Sequence, residues 1–237
     1  MAATAAERKP QLQVSINGEA FEFPPGTSIL DATRQIGMAV PVPTLCHDPR
    51  LKPIGSCRLC SVEIIGEPRT QAACKTPLRD GMRVVTHSPA LEAFRTQMLS
   101  WMAEKVSAEA CEAYPDKELH RLMHQYGVAP SRPKGPIRKP DISNPYIRVD
   151  MSQCIDCYRC VHICDELQGQ FVWHALGRGQ ETRIVPDIGE TLAESSCVTC
   201  GACADTCPTG ALTDRFSAPA ESWTRTTCVY CGWRKKD

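Results

Sequence analysis

The chain has 237 residues, of which 42% are apolar and only 6% aromatic, and its 27 acidic side chains balance 27 lysines and arginines. That composition is lean for one large core and argues for two small domains, while the even charge gives no electrostatic footprint for a nucleic acid. Fifteen cysteines mean disulfides or metal; with no secretory leader and no apolar run of about 20 residues, a cytoplasmic, reduced setting with metal and no membrane span is expected.

Residues 11–24, QLQVSINGEAFEFP, alternate apolar and polar around Asn17-Gly18, a dipeptide suited to a two-residue hairpin turn because both positions need positive φ. Pro25-Gly26 then closes the strand, Thr27 or Ser28 is placed to cap a helix, and Ile29, Leu30, Ala32, Thr33 and Ile36 recur at helical spacing until Gly37. Strand-like runs follow at 61–65 (SVEII) and 82–86 (MRVVT). Hairpin, helix and further strands predict a β-grasp layer over residues 1–87, so the fold class is α+β. From 88 to 126, Leu91, Phe94, Met98, Trp101 and Met102, then Leu119, Leu122 and Met123, predict helices. Residues 130–145 carry five prolines and four basic side chains, which predicts an irregular connector closing a segment 88–145.

Residues 146–217 contain an internal repeat. CIDCYRCVHIC at 154–164 and CVTCGACADTCP at 197–208 share the spacing C-x2-C-x2-C-x3-C. Three cysteines with two-residue gaps let one tight loop wrap three corners of an iron–sulfur cubane, and in two-cluster ferredoxins the fourth cysteine serves the other cluster. The spacing therefore predicts one [4Fe–4S] cluster on Cys154, Cys157, Cys160 and Cys207, and a second on Cys164, Cys197, Cys200 and Cys203. Pro208 follows the second quartet as that pattern asks, whereas Asp165 follows the first. Two structural zinc sites are the alternative, although zinc modules usually join two C-x2-C pairs across a longer gap. Disulfides across two-residue gaps would be strained.

In the first domain Cys46, Cys57, Cys60 and Cys74 are separated by gaps of ten, two and thirteen residues. This keeps the central pair and distant fourth ligand of plant-type ferredoxin spacing and lengthens the first gap, which suits a [2Fe–2S] rhomb. Gly55-Ser56 would let backbone amides approach the cluster. Four buried free thiols are the alternative there. No acid–base pair or nucleophile constellation is evident, so no catalytic residue is assigned; His162 and Asp156 read as potential-tuning or surface groups.

The run PTLCHDPRLKPIGSCRLCSVEI, the paired quartets and the stretch CDELQGQFVWHALGRGQETRI resemble the N-terminal iron–sulfur portion of the large subunit of cytoplasmic NAD-dependent formate dehydrogenases. More distantly they resemble the equivalent subunits of respiratory complex I and iron-only hydrogenases. The resemblance covers essentially the whole chain. It implies an electron-transfer subunit, not catalytic alone, that relays electrons between a molybdenum- or tungsten-pterin formate-oxidising chain and a flavin/NAD-reducing partner. The alternatives are a relay subunit of an NAD-linked hydrogenase or complex I-like enzyme and, in another class, a zinc-structured interaction module. Where many relatives place a His-and-three-Cys cluster between the domains, this sequence offers Cys111, His120 and His124. No cluster is expected there; Cys111 reads as a helix-packing thiol and the histidines as surface or interface residues. Residues 218–237 resemble the start of a molybdopterin domain: Cys228 and Cys231 match the first two ligands of its C-x2-C-x3-C site, and Lys235 stands at the third position. A vestige or a docking end is expected.

Overall fold

The computed structural model describes residues 11–131, 139–189 and 191–216. They divide into two compact units, the first comprising residues 11–47, 53–103 and 122–129, the second residues 48–52, 104–121 and those from 130 onward.

In the first unit β1 (Leu12–Ile16) and β2 (Glu19–Phe23) pair antiparallel with Ile16 opposite Glu19, leaving Asn17 and Gly18 as the whole turn at φ 53° and 92°. Helix α1 (Ile29–Gln35) starts at Ser28, whose Oγ accepts a bond from the Asp31 backbone N–H at 3.1 Å, satisfying one of the orphan donors of the first turn. β3 (Ser61–Ile64), β4 (Gln71–Ala72) and β5 (Arg83–Val85) complete a five-stranded sheet ordered β2-β1-β5-β3-β4, with β1 and β5 parallel. Ile29, Leu30 and Ala32 of α1 pack on Val14, Ile16, Val62 and Val84 of the sheet. The two-residue β4 has no alternating run to announce it.

Helix α2 (Pro89–Ala103) forms as its spacing predicts, but its inward line is Leu91, Arg95, Leu99 and Ala103, while Phe94 and Trp101 face outward. Arg95 is 0% exposed. A buried cation is tolerated only when its donors are used, and here Nε donates to Leu59 O at 3.2 Å, Nη2 to Ser61 O at 3.0 Å and Thr86 O at 2.7 Å, and Nη1 to Glu92 Oε1 at 2.5 Å.

The second unit holds α3 (Ala108–Ala113), capped by Ser107, and the start of α4 (Glu118–Gln125). Then come β6 (Ile147–Val149), α5 (Arg159–Ile163), β7 (Trp173–Leu176), β8 (Arg183–Pro186), α6 (Ala202–Thr206) and β9 (Leu212–Asp214). Strand, cysteine loop, short helix and strand thus occur twice, and the halves interlock: β6 pairs with β9 and β7 with β8, both antiparallel. Ile147, Ile163, Trp173, Ile184 and Leu212 form the core between them. The repeat extends to the backbone, with Asp156 and Thr199 at φ 53° and 58°, and Tyr158 and Gly201 at 63° and 75°. Left-handed non-glycine residues are uncommon, so the shared bends mark one loop design used twice. The architecture is a mixed α and β fold; among the described residues no helix is long and apolar enough to cross a membrane.

Arg95→Met would leave three buried carbonyls without their donor. The expected cost is on the order of 3–5 kcal/mol, seen as a lower urea midpoint for loss of the full chain's circular dichroism.

Candidate functional site

The first unit gathers its four cysteines as two pairs, all of them buried. Cys46 N–H points at Cys57 Sγ (3.5 Å) and Cys57 N–H at Cys46 Sγ (3.4 Å). Cys60 leads into β3 and Cys74 follows β4; the Ala73 N–H bonds Cys60 O at 3.0 Å, and Leu30 N–H of α1 bonds Ala73 O at 3.0 Å, so the sheet and the capped helix fix this second pair. Hydrogen bonds from the Cys57 thiol and from Ser56 bring the Cys46 pKa down to about 5, and the same thiol–thiol bond, with burial, pushes Cys57 up. Likewise Cys60 is lowered to about 7 by the bond from Cys74, and Cys74 is pushed up by that bond and by burial. In each pair one thiol is lowered and its partner raised, since placing four thiolates together in a desolvated pocket is unfavourable without a cation. Gly55, just before Ser56 and Cys57, adopts φ 77°, the left-handed region where a side chain would be strained, and a Cβ there would stand 2.6 Å from Lys75 Cδ.

The second unit shows two cavities. One is lined by Cys154, Cys157, Cys160 and Cys207 together with Ile184 and Leu212. The other is lined by Cys164, Cys197, Cys200 and Cys203 together with Val172 and Trp173. Each gathers three cysteines of one loop and the fourth of the other repeat. Backbone N–H groups point at the sulfurs: Asp156 at Cys154 (3.4 Å), Val172 at Cys164 (3.4 Å) and Thr199 at Cys197 (3.3 Å). Burial pushes the Cys154 and Cys160 thiols up and takes Cys203 to about 12; thiols so placed surrender their protons only to a cation.

The donor set fits iron–sulfur clusters better than a lone ion. Among the described residues no group of three or more His, Cys, Asp or Glu side chains is arranged to hold a single metal ion, and tetrahedral zinc would draw its sulfurs to about 3.8 Å of each other. Four thiols spread around a cavity suit the corners of a cubane.

A buried charge network sits against the first quartet. Arg159, between Cys157 and Cys160, is 4% exposed and Asp48 is 2% exposed. Arg159 Nε donates to Thr206 Oγ1 at 2.9 Å, and its Nη1 and Nη2 reach Glu118 at 2.6 and 3.2 Å. The Thr206 hydroxyl donates to Asp48 Oδ2 at 2.8 Å; Arg50 clasps Asp48 at 2.9 and 2.6 Å and Asp205 at 2.9 Å. Burial alone would raise the Asp48 carboxyl, but the bonds from Arg50 and Thr206 hold it well below the usual carboxylate range. Sequence reasoning assigned none of these residues. The signal was available in the repeat, where Arg159 occupies the place that Ala202 occupies in the second quartet.

Cys111 is half-buried in α3 and His124 is exposed, whereas His120, expected at a surface or an interface, is buried. It is 5% exposed, and its Nδ1–H donates to Tyr114 O at 2.7 Å. It is held inside because the next residue back, Leu119, is tied by its N–H to Pro208 O at 3.0 Å. Lys117 Nζ donates to Cys207 O at 3.1 Å. Cys228, Cys231 and Lys235 lie outside the described residues.

Residues 9–89 match the family model of the 2Fe-2S iron-sulfur cluster binding domain, and residues 144–213 match that of the NADH-quinone oxidoreductase subunit 3 ferredoxin-like domain. A chain in the crystal structure of NAD+-reducing [NiFe]-hydrogenase in the H2-reduced state is 30% identical with a TM-score of 0.78, the likeness covering 88% of this chain and 90% of that one. The chain belongs to the iron–sulfur electron-transfer subunits of NAD(P)-linked oxidoreductases. The NADH-ubiquinone oxidoreductase 75 kDa subunit of Reclinomonas americana is 30% identical over 90% of the chain, and NADP-reducing hydrogenase subunit HndD of Solidesulfovibrio fructosivorans is 34% identical over 86%. The chain spans 31% and 36% of the length of these two curated relatives. Their names favour the hydrogenase and complex I alternative over the formate dehydrogenase expectation.

Asp48→Asn would remove the carboxylate shared by half-buried Arg50 and buried Arg159, whose Nη2 lies 3.4 Å from Asp48 Oδ2. The expected cost is about 3–5 kcal/mol, read as a lower denaturation midpoint at neutral pH. Because the folded-state pKa is depressed, the native contribution is present above about pH 4 and fades as pH falls toward that lower value; the variant's deficit should shrink in the same direction.

Proposed function

We propose that this chain is an electron relay carrying one [2Fe–2S] and two [4Fe–4S] clusters. Cys46 and Cys57 hold one iron of the rhomb and Cys60 and Cys74 the other, as their pairing suggests. Cys154, Cys157, Cys160 and Cys207 hold the first cubane; Cys164, Cys197, Cys200 and Cys203 hold the second. The observation that carries this reading is the pair of cavities, each walled by one interleaved quartet.

When bound, the clusters supply one-electron transfer. The chain's own work is placement and tuning. Its thiolates fix the clusters, and N–H groups of Ser56, Asp156, Val172 and Thr199 directed at sulfur favour the more negative, reduced state. Ile184, Leu212, Val172 and Trp173 keep water from the cavity walls.

By the company of its relatives, the relay exchanges electrons with a flavin/NAD(P)-reducing partner on one side and with a hydrogenase or a complex I-type partner on the other. A second reading puts a molybdenum- or tungsten-pterin formate-oxidising chain on that other side. It is favoured by the DELQG and GRGQETRI stretches and by the Cys228 and Cys231 tail. A cytoplasmic setting accompanies either.

Anaerobic reductive titration of the full chain should consume three electron equivalents, one per cluster, and Cys57→Ser should consume two with both cubane signals retained. Uptake of fewer than three by the unaltered protein would contradict the relay. In the complex isolated with its partners, bleaching by H2 supports the hydrogenase reading and bleaching by formate the second one.

A further inference from the structure

The two cubane loops share their backbone bends but not their electrostatics. Asp156 and Thr199 match in φ, as do Tyr158 and Gly201; at the next position one loop carries Arg159 and the other Ala202, both buried. Arg159 is therefore a charge added to one member of a repeated design. Its Nε bonds the hydroxyl of Thr206, the residue before Cys207, while its own backbone lies between Cys157 and Cys160. One side chain thus spans the two chain segments that supply the first quartet.

Resting on the cluster assignment above, we propose that Arg159 is a positioning residue for the first cubane, whose buried guanidinium raises that cluster's reduction potential and fixes the Cys207 segment against the Cys157–Cys160 loop. Reduction adds one negative charge to a cluster, so a cation held nearby in a poorly screened interior favours the reduced form. Arg159 is rooted in the loop between Cys157 and Cys160, and although burial opposes its charge, Glu118, Cys157 and Asp48 all raise its pKa. Two carboxylates touch Arg159 itself, Glu118 at 2.6 and 3.2 Å and Asp48 at 3.4 Å; Asp48 is shared with Arg50 and Thr206, and Asp205 is held by Arg50, so replacing Arg159 alone takes one positive charge out of a network whose carboxylates stay. Asp156, the acidic residue within the loop, is more exposed and is ion-paired with Lys105.

The test is an EPR-monitored redox titration of the anaerobically purified full chain, comparing the unaltered protein with Arg159→Gln, Arg159→Lys and Glu118→Gln. Arg159→Gln should move the first cubane's midpoint to more negative potential and leave the second cubane's unchanged. Arg159→Lys should largely restore it, since charge rather than the fork geometry is invoked. Glu118→Gln removes one partner carboxylate from a partly exposed position and should move the midpoint positive. If Arg159→Gln does not retain its first cluster, Glu118→Gln decides the matter: a positive shift confined to the first cubane supports the inference, and an unmoved midpoint overturns it. Midpoints that stay put in all variants with both cubanes intact, or that move equally for the two cubanes, overturn the inference and leave the cluster assignment standing. Absence of cubane signals from the unaltered protein overturns the assignment and the inference together.

Discussion

A thiol that must reach the other half of a repeat fixes the path of the chain around it. Cys164 closes α5 and Cys207 closes α6, yet each lines the cavity built on the opposite loop. That exchange requires α5 and α6 to pack side by side and the strands to pair between halves rather than within them, as β6 with β9 and β7 with β8 do. The strands are only three or four residues long, shorter than an independent sheet needs. The cysteines are themselves part of that unit's hydrophobic core, with Cys160, Cys164 and Cys203 among its buried members.

The C-x2-C turn is the recurring local device. Each of the five two-residue gaps between proposed ligands contains a left-handed residue: Arg58, Asp156, Tyr158, Thr199 and Gly201. Such turns aim successive sulfurs inward, but they leave backbone carbonyls outside any ladder and place them in apolar surroundings. In the first unit a buried arginine answers with its donors, and in the second a buried arginine bridges two cysteine-bearing segments through side chains. Arg95 bonds Leu59 O inside the Cys57–Cys60 gap, and Arg159 sits inside the Cys157–Cys160 gap and reaches the segment of Cys207. Each cation is balanced by glutamate, Glu92 and Glu118 respectively, so rigidity is gained without a lone buried charge.

Much of this was legible in the chain. The Asn17-Gly18 hairpin, the Ser28-capped helix and the two strands after it follow from short-range rules of φ, capping and alternation, which need no knowledge of distant contacts. The grouping of the eight cysteines into two interleaved quartets, as the two cavities gather them, was readable because their spacing is written directly into the sequence. Arg95, Arg159, Asp48 and His120 were not, because their burial is decided by partners 6 to 158 positions away, and periodicity sees only neighbours. The inward face of α2 was hidden for the same reason: an arginine at a core position looks like a solvated charge until its three carbonyl partners are known. Motifs shared across a family also name a chemistry more readily than a substrate, so the cysteine spacing pointed to electron transfer while the partner had to come from relatives.

The central claim is that the interleaved quartets and the paired thiols of the first unit are cluster ligands. Native mass spectrometry of the anaerobically purified full chain tests it most directly. The account predicts a single dominant species carrying about ten iron and about ten sulfide, as one two-iron and two four-iron clusters. A polypeptide carrying zinc without sulfide, or one whose cluster content stops at a single cubane, would contradict it.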